Sequence, residues 1–177
     1  MTNFQDRIIR AAKLDVHLYE EVEADKGAMF QAMAVVVLSS IAAGVGSVGS
    51  LGFSGILIGM ITALIGWYIW AYLTYIIGTK LLPEPQTKAN HSELLRTIGF
   101  SSSPGLIRVL GVIPGVGGVI FLAASIWMLV AMVIAVRQAL DYKSTLRAVG
   151  VCLVGWIIQT LIFMLLFSVL GGPVKPV

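Results

Sequence analysis

The chain has 177 residues, of which 58% are hydrophobic and 12% are charged, and its mean hydropathy is +0.93. A soluble domain carries about 25% charged residues, so this composition excludes an ordinary soluble protein and predicts an integral membrane protein. The net charge of +3 comes from basic residues scattered between apolar blocks, which excludes the contiguous basic stripe of a nucleic-acid-binding protein.

Residues 1–27 are polar and have the periodicity of an amphipathic helix. Their apolar residues recur at spacings of three and four, which places them on one helix face. A helix of this kind either lies at the membrane interface or packs on the cytosolic ends of the spans, and the sequence leaves both readings open. The apolar face consists of Phe4, Ile8, Ala11, Leu14, Leu18 and Val22.

The rest of the chain is dominated by apolar blocks, and about 20 apolar residues are enough to cross the hydrocarbon core as a helix. We predict an all-α polytopic fold with five transmembrane helices in a membrane domain over 28–170, followed by an irregular tail over 171–177. The third helix is expected to be broken at Ser101–Pro104, because proline has no backbone N–H and interrupts a helix. The predicted spans are 28–49, 53–77, 94–113, 115–136 and 146–170.

The distribution of Lys and Arg supports five crossings. Cytoplasmic loops of membrane proteins carry an excess of these residues. With five spans, three basic groups fall on one side of the membrane, and only Arg108 and Lys175 remain elsewhere. The N-terminus is therefore predicted to be cytoplasmic and the C-terminus outside. The three groups are Arg7, Arg10, Lys13 and Lys26, then Lys80, Lys88 and Arg96, then Arg137, Lys143 and Arg147.

Arg108 is a charged residue inside a predicted span, and two explanations stand. It follows Arg96 by 12 positions, or about 18 Å along a helix, so the two side chains could reach opposite interfaces. Alternatively, Arg108 faces a polar cavity and marks a functional site. In that case Ser101, Ser102 and Ser103, at the predicted break, would form a polar path with it.

Small residues on the second span predict close helix packing. Gly55, Gly59 and Ala63 repeat every four residues, and such a face lets two membrane helices approach closely. The contact could lie within the monomer, in a homo-oligomer or with a partner helix. Gln159, deep in the fifth span, is expected to hydrogen-bond a neighbouring helix.

Groups that catalyse reactions or relay protons are absent from the spans. The five blocks contain no Asp or Glu, and His17 and His91 lie on different segments. A metal site needs several such ligands at suitable spacing, and a proton-coupled transporter normally uses intramembrane carboxylates. We therefore predict no enzyme activity, no metal and no cofactor.

The stretch LLRTIGFSSSPGLIRVLGVIPGVGG carries a resemblance to a known family. It has an aromatic and proline break at Gly99, Phe100 and Pro104, followed by a turn at Pro114. The next span bears Trp127 and ends in Arg137, Ala139 and a Ser144–Thr145 cap. These features, with RAAKLDVHLYEEVEAD near the N-terminus, resemble a bacterial-type member of the Yip domain family, the Ypt/Rab-interacting membrane proteins.

The resemblance implies a five-span helical fold with a cytosolic N-terminus. It also implies a non-enzymatic scaffold or accessory subunit of a membrane complex, or a role in membrane organisation. The expected partners are the lipid bilayer, other membrane helices, a larger complex or further copies of the chain, with a bacterial inner membrane as the location. The alternative is a small transporter or channel that uses the broken third helix from Ser101 to Arg108.

Overall fold

The computed structural model describes residues 3–47 and 52–170, and all regular structure within these ranges is helical. Two short helices come first, α1 (Phe4–Ala12) and α2 (Val16–Ala24), and together they are called the arm below. The remaining elements form a bundle. They are α3 (Ala28–Gly46), α4 (Gly52–Ile76) with a π-helical turn (Ile77–Leu81), α5 (His91–Phe100), a 3-10 helix (Ser103–Val112), α6 (Gly117–Ala139) and α7 (Thr145–Leu170).

The arm is two helices, where one was predicted over 1–27. The chain reverses at Leu14, whose φ of 62° lies in the left-handed region, and this conformation ends a right-handed helix. Asp15 then starts α2 by accepting a hydrogen bond from the His17 amide at 3.0 Å. A short acidic side chain at this position satisfies an amide that has no partner within the helix.

Ion pairs join the two helices of the arm. Arg7 contacts Glu21 at 2.9 Å and Asp25 at 2.8 Å. Arg10 contacts Glu21 at 2.7 Å and Asp15 at 2.8 Å. Arg7 and Arg10 in the first half of the arm thus pair with Glu21 and Asp25 of the acidic run in the second half.

The apolar face of the arm is covered by the bundle. Leu18, Tyr19 and Val22 are fully buried, in one cluster with Ala32 of α3 and Phe100 of α5. The arm therefore packs on the bundle, and α1 also reaches the middle of α6, where the Trp127 indole donates to the Ala12 carbonyl at 2.8 Å. The end of the bundle where α2 packs is called the arm end, and the opposite end, where α3 finishes and α6 begins, is called the far end.

Four helices in the described ranges are long and apolar enough to cross a membrane. The protein is therefore an all-α polytopic membrane protein, but the count of five such helices is corrected to four. The predicted third span, 94–113, is the one that does not form a single long helix. The four candidate spans are Ala28–Gly46, Gly55–Leu81, Gly117–Ala139 and Thr145–Ile162.

The predicted third span still traverses the bundle, in two pieces. Its backbone meets α3 at Ala32 beside Gly99, at Ser39 beside Gly105 and at Gly46 beside Arg108, so it runs along α3 from the arm end to the far end. Ten α-helical residues rise about 15 Å and ten 3-10 residues about 20 Å. The two pieces in series are therefore long enough for a hydrocarbon core of about 30 Å.

The break in this segment falls where proline and serine predict it. Helix α5 ends at Phe100, and Pro104 lies in the first turn of the 3-10 helix. The hydroxyl of Ser101 donates to the Ile98 carbonyl at 2.7 Å, and that of Ser103 donates to the Phe100 carbonyl, also at 2.7 Å. These bonds occupy carbonyls at the break, which in a membrane must be satisfied inside the protein.

Other boundaries differ from prediction by a few residues. The fourth predicted span, 115–136, is observed as Gly117–Ala139, and the fifth, 146–170, as Thr145–Leu170. The first, 28–49, is observed as Ala28–Gly46, and its predicted last two residues lie outside the described residues. The predicted tail over 171–177 also lies outside them.

Candidate functional site

An open cavity of about 540 Å³ lies between the helices of the bundle, within the range of about 300–1,000 Å³ that is common for ligand sites. Residues from α3, α4, α5, the 3-10 helix, α6 and α7 line it. Its walls are mainly apolar, with a few polar groups. Those polar groups are Ser39, Ser40, Ser47, Trp67, Trp70, Ser102, Arg108 and Gln159.

The small-residue face of α4 forms one wall of this cavity. Gly55, Gly59, Ala63 and Gly66 all line it. A methyl group added at Gly59 would meet no atom within 4 Å. This face was predicted to pack against another helix, but at Gly59 it borders open space.

Close backbone packing occurs at other glycines. A Cβ at Gly46 would lie 1.8 Å from the Arg108 carbonyl oxygen, and a Cβ at Gly105 would lie 2.1 Å from the Ser39 hydroxyl oxygen. These two positions hold the 3-10 helix against α3. The sequence analysis missed Gly105, because a glycine beside a proline indicates a turn as readily as a helix contact.

The four residues of the predicted polar path do not share one surface. Ser101 and Ser103 are buried, and their hydroxyls are used by the carbonyls of the preceding turn. Ser102 and Arg108 do line the cavity. Gln159, predicted to bond a neighbouring helix, lines the same cavity.

Arg108 lines the cavity near the far end of the bundle. One terminal nitrogen of its guanidinium donates to the Ser125 hydroxyl at 3.1 Å, and its central carbon lies 5.7 Å from the centre of the Phe121 ring. The Nε atom of Arg108 is buried without a hydrogen-bond partner in the described structure, and so is the indole nitrogen of Trp70. Both residues line the cavity, but these two nitrogen atoms are themselves closed off from it.

Arg96 does not reach an interface, in contrast to its predicted role. It is 5% exposed and donates from Nε to the Val22 carbonyl at 2.8 Å and from a terminal nitrogen to the Glu23 carbonyl. These carbonyls belong to the last turn of α2, where a positive charge is favourable. Arg96 therefore joins the arm to α5 through a hydrogen bond to Val22, which lies 74 positions earlier in the sequence.

A second cavity, of about 770 Å³, lies at the arm end between α2, α5 and the turn after α6. Four carboxylates line it together with two basic side chains. Burial, followed by the charges of Asp141 and Glu93, raises the pKa of Glu23 to about 7, although Arg96 opposes this shift. The charged lining residues are Glu20, Glu23, Glu93, Asp141, Arg137 and Lys143.

We expect docking of the arm to weaken as the pH rises toward neutrality. The pKa of Glu23 is raised in the folded state, so the docked arm keeps its proton after a released arm has lost it. Docking is then strongest below the ordinary glutamate pKa of about 4.5, and it is progressively lost as the pH rises through about 7. Hydrogen exchange of the α2 amides, corrected for intrinsic rates, should show faster opening at about pH 8 than at about pH 6.

The matched variant for this prediction is Glu23→Gln, which keeps the shape of the side chain and cannot ionise. In this variant the corrected opening of α2 should be equal at the two pH values. If the variant retains the full pH dependence, then Glu20, Glu93 or Asp141, rather than Glu23, carries the titration.

The two cavities differ in the chemical groups that they present. Within the described ranges, no cluster of three His, Cys, Asp or Glu side chains is placed to hold a metal ion. The membrane cavity offers hydroxyls, an amide, an indole and one guanidinium, which are hydrogen-bonding groups for recognition. It contains no carboxylate or imidazole that would act as a general base.

Comparison with known proteins gives one match. The model of the Yip1 domain family matches residues 19–167, from the second helix of the arm to near the end of α7. No curated protein and no solved structure matches the chain.

Proposed function

The chain belongs to the Yip1 domain family, and from this premise we propose that it is a non-enzymatic scaffold or accessory subunit of a membrane complex. We further propose that a partner helix docks on the outer face of α4. One observation carries this proposal. Only 6% of the α4 span is buried inside the chain, whereas the other three candidate spans are 22–33% buried.

The geometry behind α4 strengthens this argument. The cavity lies along part of its inner face, and its outer face carries large apolar residues at spacings of three and four. Membrane helices gain stability by packing against one another, and a helix whose residues are so little buried in its own chain has a surface available for a second one. The outer residues are Leu57, Ile58, Ile61 and Ile65.

Site-specific photocrosslinking tests this proposal in native membranes. A photoreactive residue at Ile61 should give a protein adduct of one defined mass, and the mass distinguishes a second copy of this chain from a different protein. The control is the same residue at Leu161 of α7, which is 60% exposed, as Ile61 is. Protein adducts at neither position would show that α4 faces only lipid, and equal adducts at both would contradict a docking face specific to α4.

We also propose an orientation. The arm would lie on the cytoplasmic side of a bacterial inner membrane, and α7 would lead the C-terminus outside. The support is the positive-inside rule, because Arg108 is the only Lys or Arg of the described ranges on the far side of the break in the third traverse. The remaining ten lie in the arm, beside it, or in the turns at the arm end.

A small transporter or channel is the second candidate, and one observation favours it. Ser102, Arg108 and Gln159 come from different elements of the chain and meet at one cavity. If this cavity conducts, liposomes containing the protein should release trapped chloride faster than empty liposomes, and Arg108→Ala should abolish that release. Release equal to that of empty liposomes would remove this candidate.

A further inference from the structure

Arg108 lacks the anionic partner that the paired arginines of this chain have. Arg7, Arg10 and Arg147 each pair with a carboxylate in the described structure. A guanidinium carries five N–H donors, yet the one hydrogen bond recorded from Arg108 goes to the neutral Ser125 hydroxyl. No Asp or Glu of the described residues lines its cavity, so this part of the chain supplies no counter-charge there.

A charged side chain in a segment that traverses a membrane is rare, and it normally pairs with an opposite charge or marks a binding site. The Phe121 ring, 5.7 Å away, attracts the cation weakly compared with a bidentate anion. The Nε of Arg108 is buried, so the terminal nitrogens of the guanidinium, at the wall of the cavity, are the donors that an anion entering from outside the chain would reach.

The shape of the cavity indicates what kind of anion. The backbone of Arg108 lies beside Gly46 at the far end of the bundle, near the level of a membrane surface. From there the cavity continues along Gly55, Gly59, Ala63 and Gly66 toward Trp70. A charged end near one surface and a narrow apolar trough leading toward the membrane interior match a phospholipid, with its phosphate at Arg108 and an acyl chain along α4.

We propose that this cavity binds a single phospholipid of the far leaflet, whose phosphate accepts hydrogen bonds from the Arg108 guanidinium. The role of the bound lipid, but not its binding, rests on the proposed scaffold function. The lipid would fill the space behind α4 and fix the α4 face that meets the partner helix.

Native mass spectrometry of the full chain, released from a phosphate-free detergent, measures this binding. The probe is dioleoyl phosphatidylglycerol, with dioleoylglycerol and inorganic phosphate as separate arms. We expect one tightly bound phosphatidylglycerol, weak binding of dioleoylglycerol and no retained phosphate. Equally tight dioleoylglycerol would show that the tail alone is recognised, and retained phosphate would show a free anion site. Either result would overturn the lipid proposal.

Substitution of Arg108 tests whether its guanidinium binds the phosphate of phosphatidylglycerol. Arg108→Gln should raise the Kd for phosphatidylglycerol about 10-fold or more, the usual range for losing a hydrogen-bonded charge. The control Lys80→Gln removes an exposed positive charge at the arm end and should leave the Kd unchanged. An equal loss in both variants, or no loss in Arg108→Gln, would contradict the proposal.

A second variant keeps the test informative if Arg108→Gln folds poorly. Gly59 faces open space, so Gly59→Leu should fold and place its side chain in the trough, which should weaken phosphatidylglycerol binding by a similar factor. Undiminished binding in a folded Gly59→Leu protein would count against the acyl-chain path. The crosslink at Ile61 separates the two proposals, because it tests the partner whether or not the lipid binds.

Discussion

Replacing Gly46 with alanine should destabilise the bundle by about 3 kcal/mol or more, the upper part of the range for forcing extra atoms into a packed interior. The new Cβ would lie 1.8 Å from the Arg108 carbonyl oxygen and 3.2 Å from the Phe121 ring. The first of these is a backbone atom, so α3 and the 3-10 helix must separate. The apparent unfolding midpoint in detergent should fall by roughly 6–12 °C.

The contrasting variant is Gly59→Ala, on the helix face that the sequence marks most clearly for packing. Nothing lies within 4 Å of its added methyl group, and alanine in a helix interior is favoured over glycine by about 0.5–1 kcal/mol. The midpoint should therefore stay level or rise slightly. A large fall for Gly59→Ala together with no change for Gly46→Ala would mean that α4, not the 3-10 helix, packs closely on α3.

Replacing Arg96 with alanine should release the arm from the bundle. The variant loses two charge-assisted hydrogen bonds to the last turn of α2, and each such bond contributes about 1.5–3 kcal/mol. We expect the population of released arm to rise about 100-fold, for a loss of about 3 kcal/mol. Trypsin cleavage at Lys13, measured under native conditions, reports this release.

The matched control is Lys88→Ala, which removes an exposed positive charge from the linker before α5. Its cleavage rate should equal that of the unmodified chain. Arg96→Lys should fall between the two, because an ammonium group lacks the planar fork that reaches two carbonyls at once. If Arg96→Ala leaves the cleavage of the arm unchanged, the hydrogen bonds to Val22 and Glu23 do not hold the arm in place.

The sequence predicts the fold well where the signal is local. Runs of apolar residues locate the four long helices to within a few positions, because length and hydropathy alone decide whether a helix can cross. Pro104 and the adjacent serines locate the break in the third traverse. The 3-10 geometry after that break is not predictable, since runs of this helix beyond a few residues are uncommon and depend on how closely α3 approaches.

The candidate site is less predictable, because it depends on how the helices are rotated. Gly55, Gly59 and Ala63 lie on one face by their spacing, but spacing does not reveal whether that face meets a helix or a cavity. Arg96 and Arg108 have the same residue type and lie 12 positions apart. One is bonded to the arm and the other borders the cavity, because their partners come from parts of the chain far away in sequence.

The 3-10 geometry after the break determines the direction in which Arg108, the one charged residue of that helix, points. A 3-10 helix repeats every three residues, so Gly105, Arg108 and Gly111 lie in one line along it, with a bare backbone on either side of the arginine. Inserting or deleting one residue between Pro104 and Arg108 would turn the guanidinium by about 120°, away from the cavity and toward the lipid. The direction in which the Arg108 side chain points is therefore determined by the number of residues between Pro104 and Arg108.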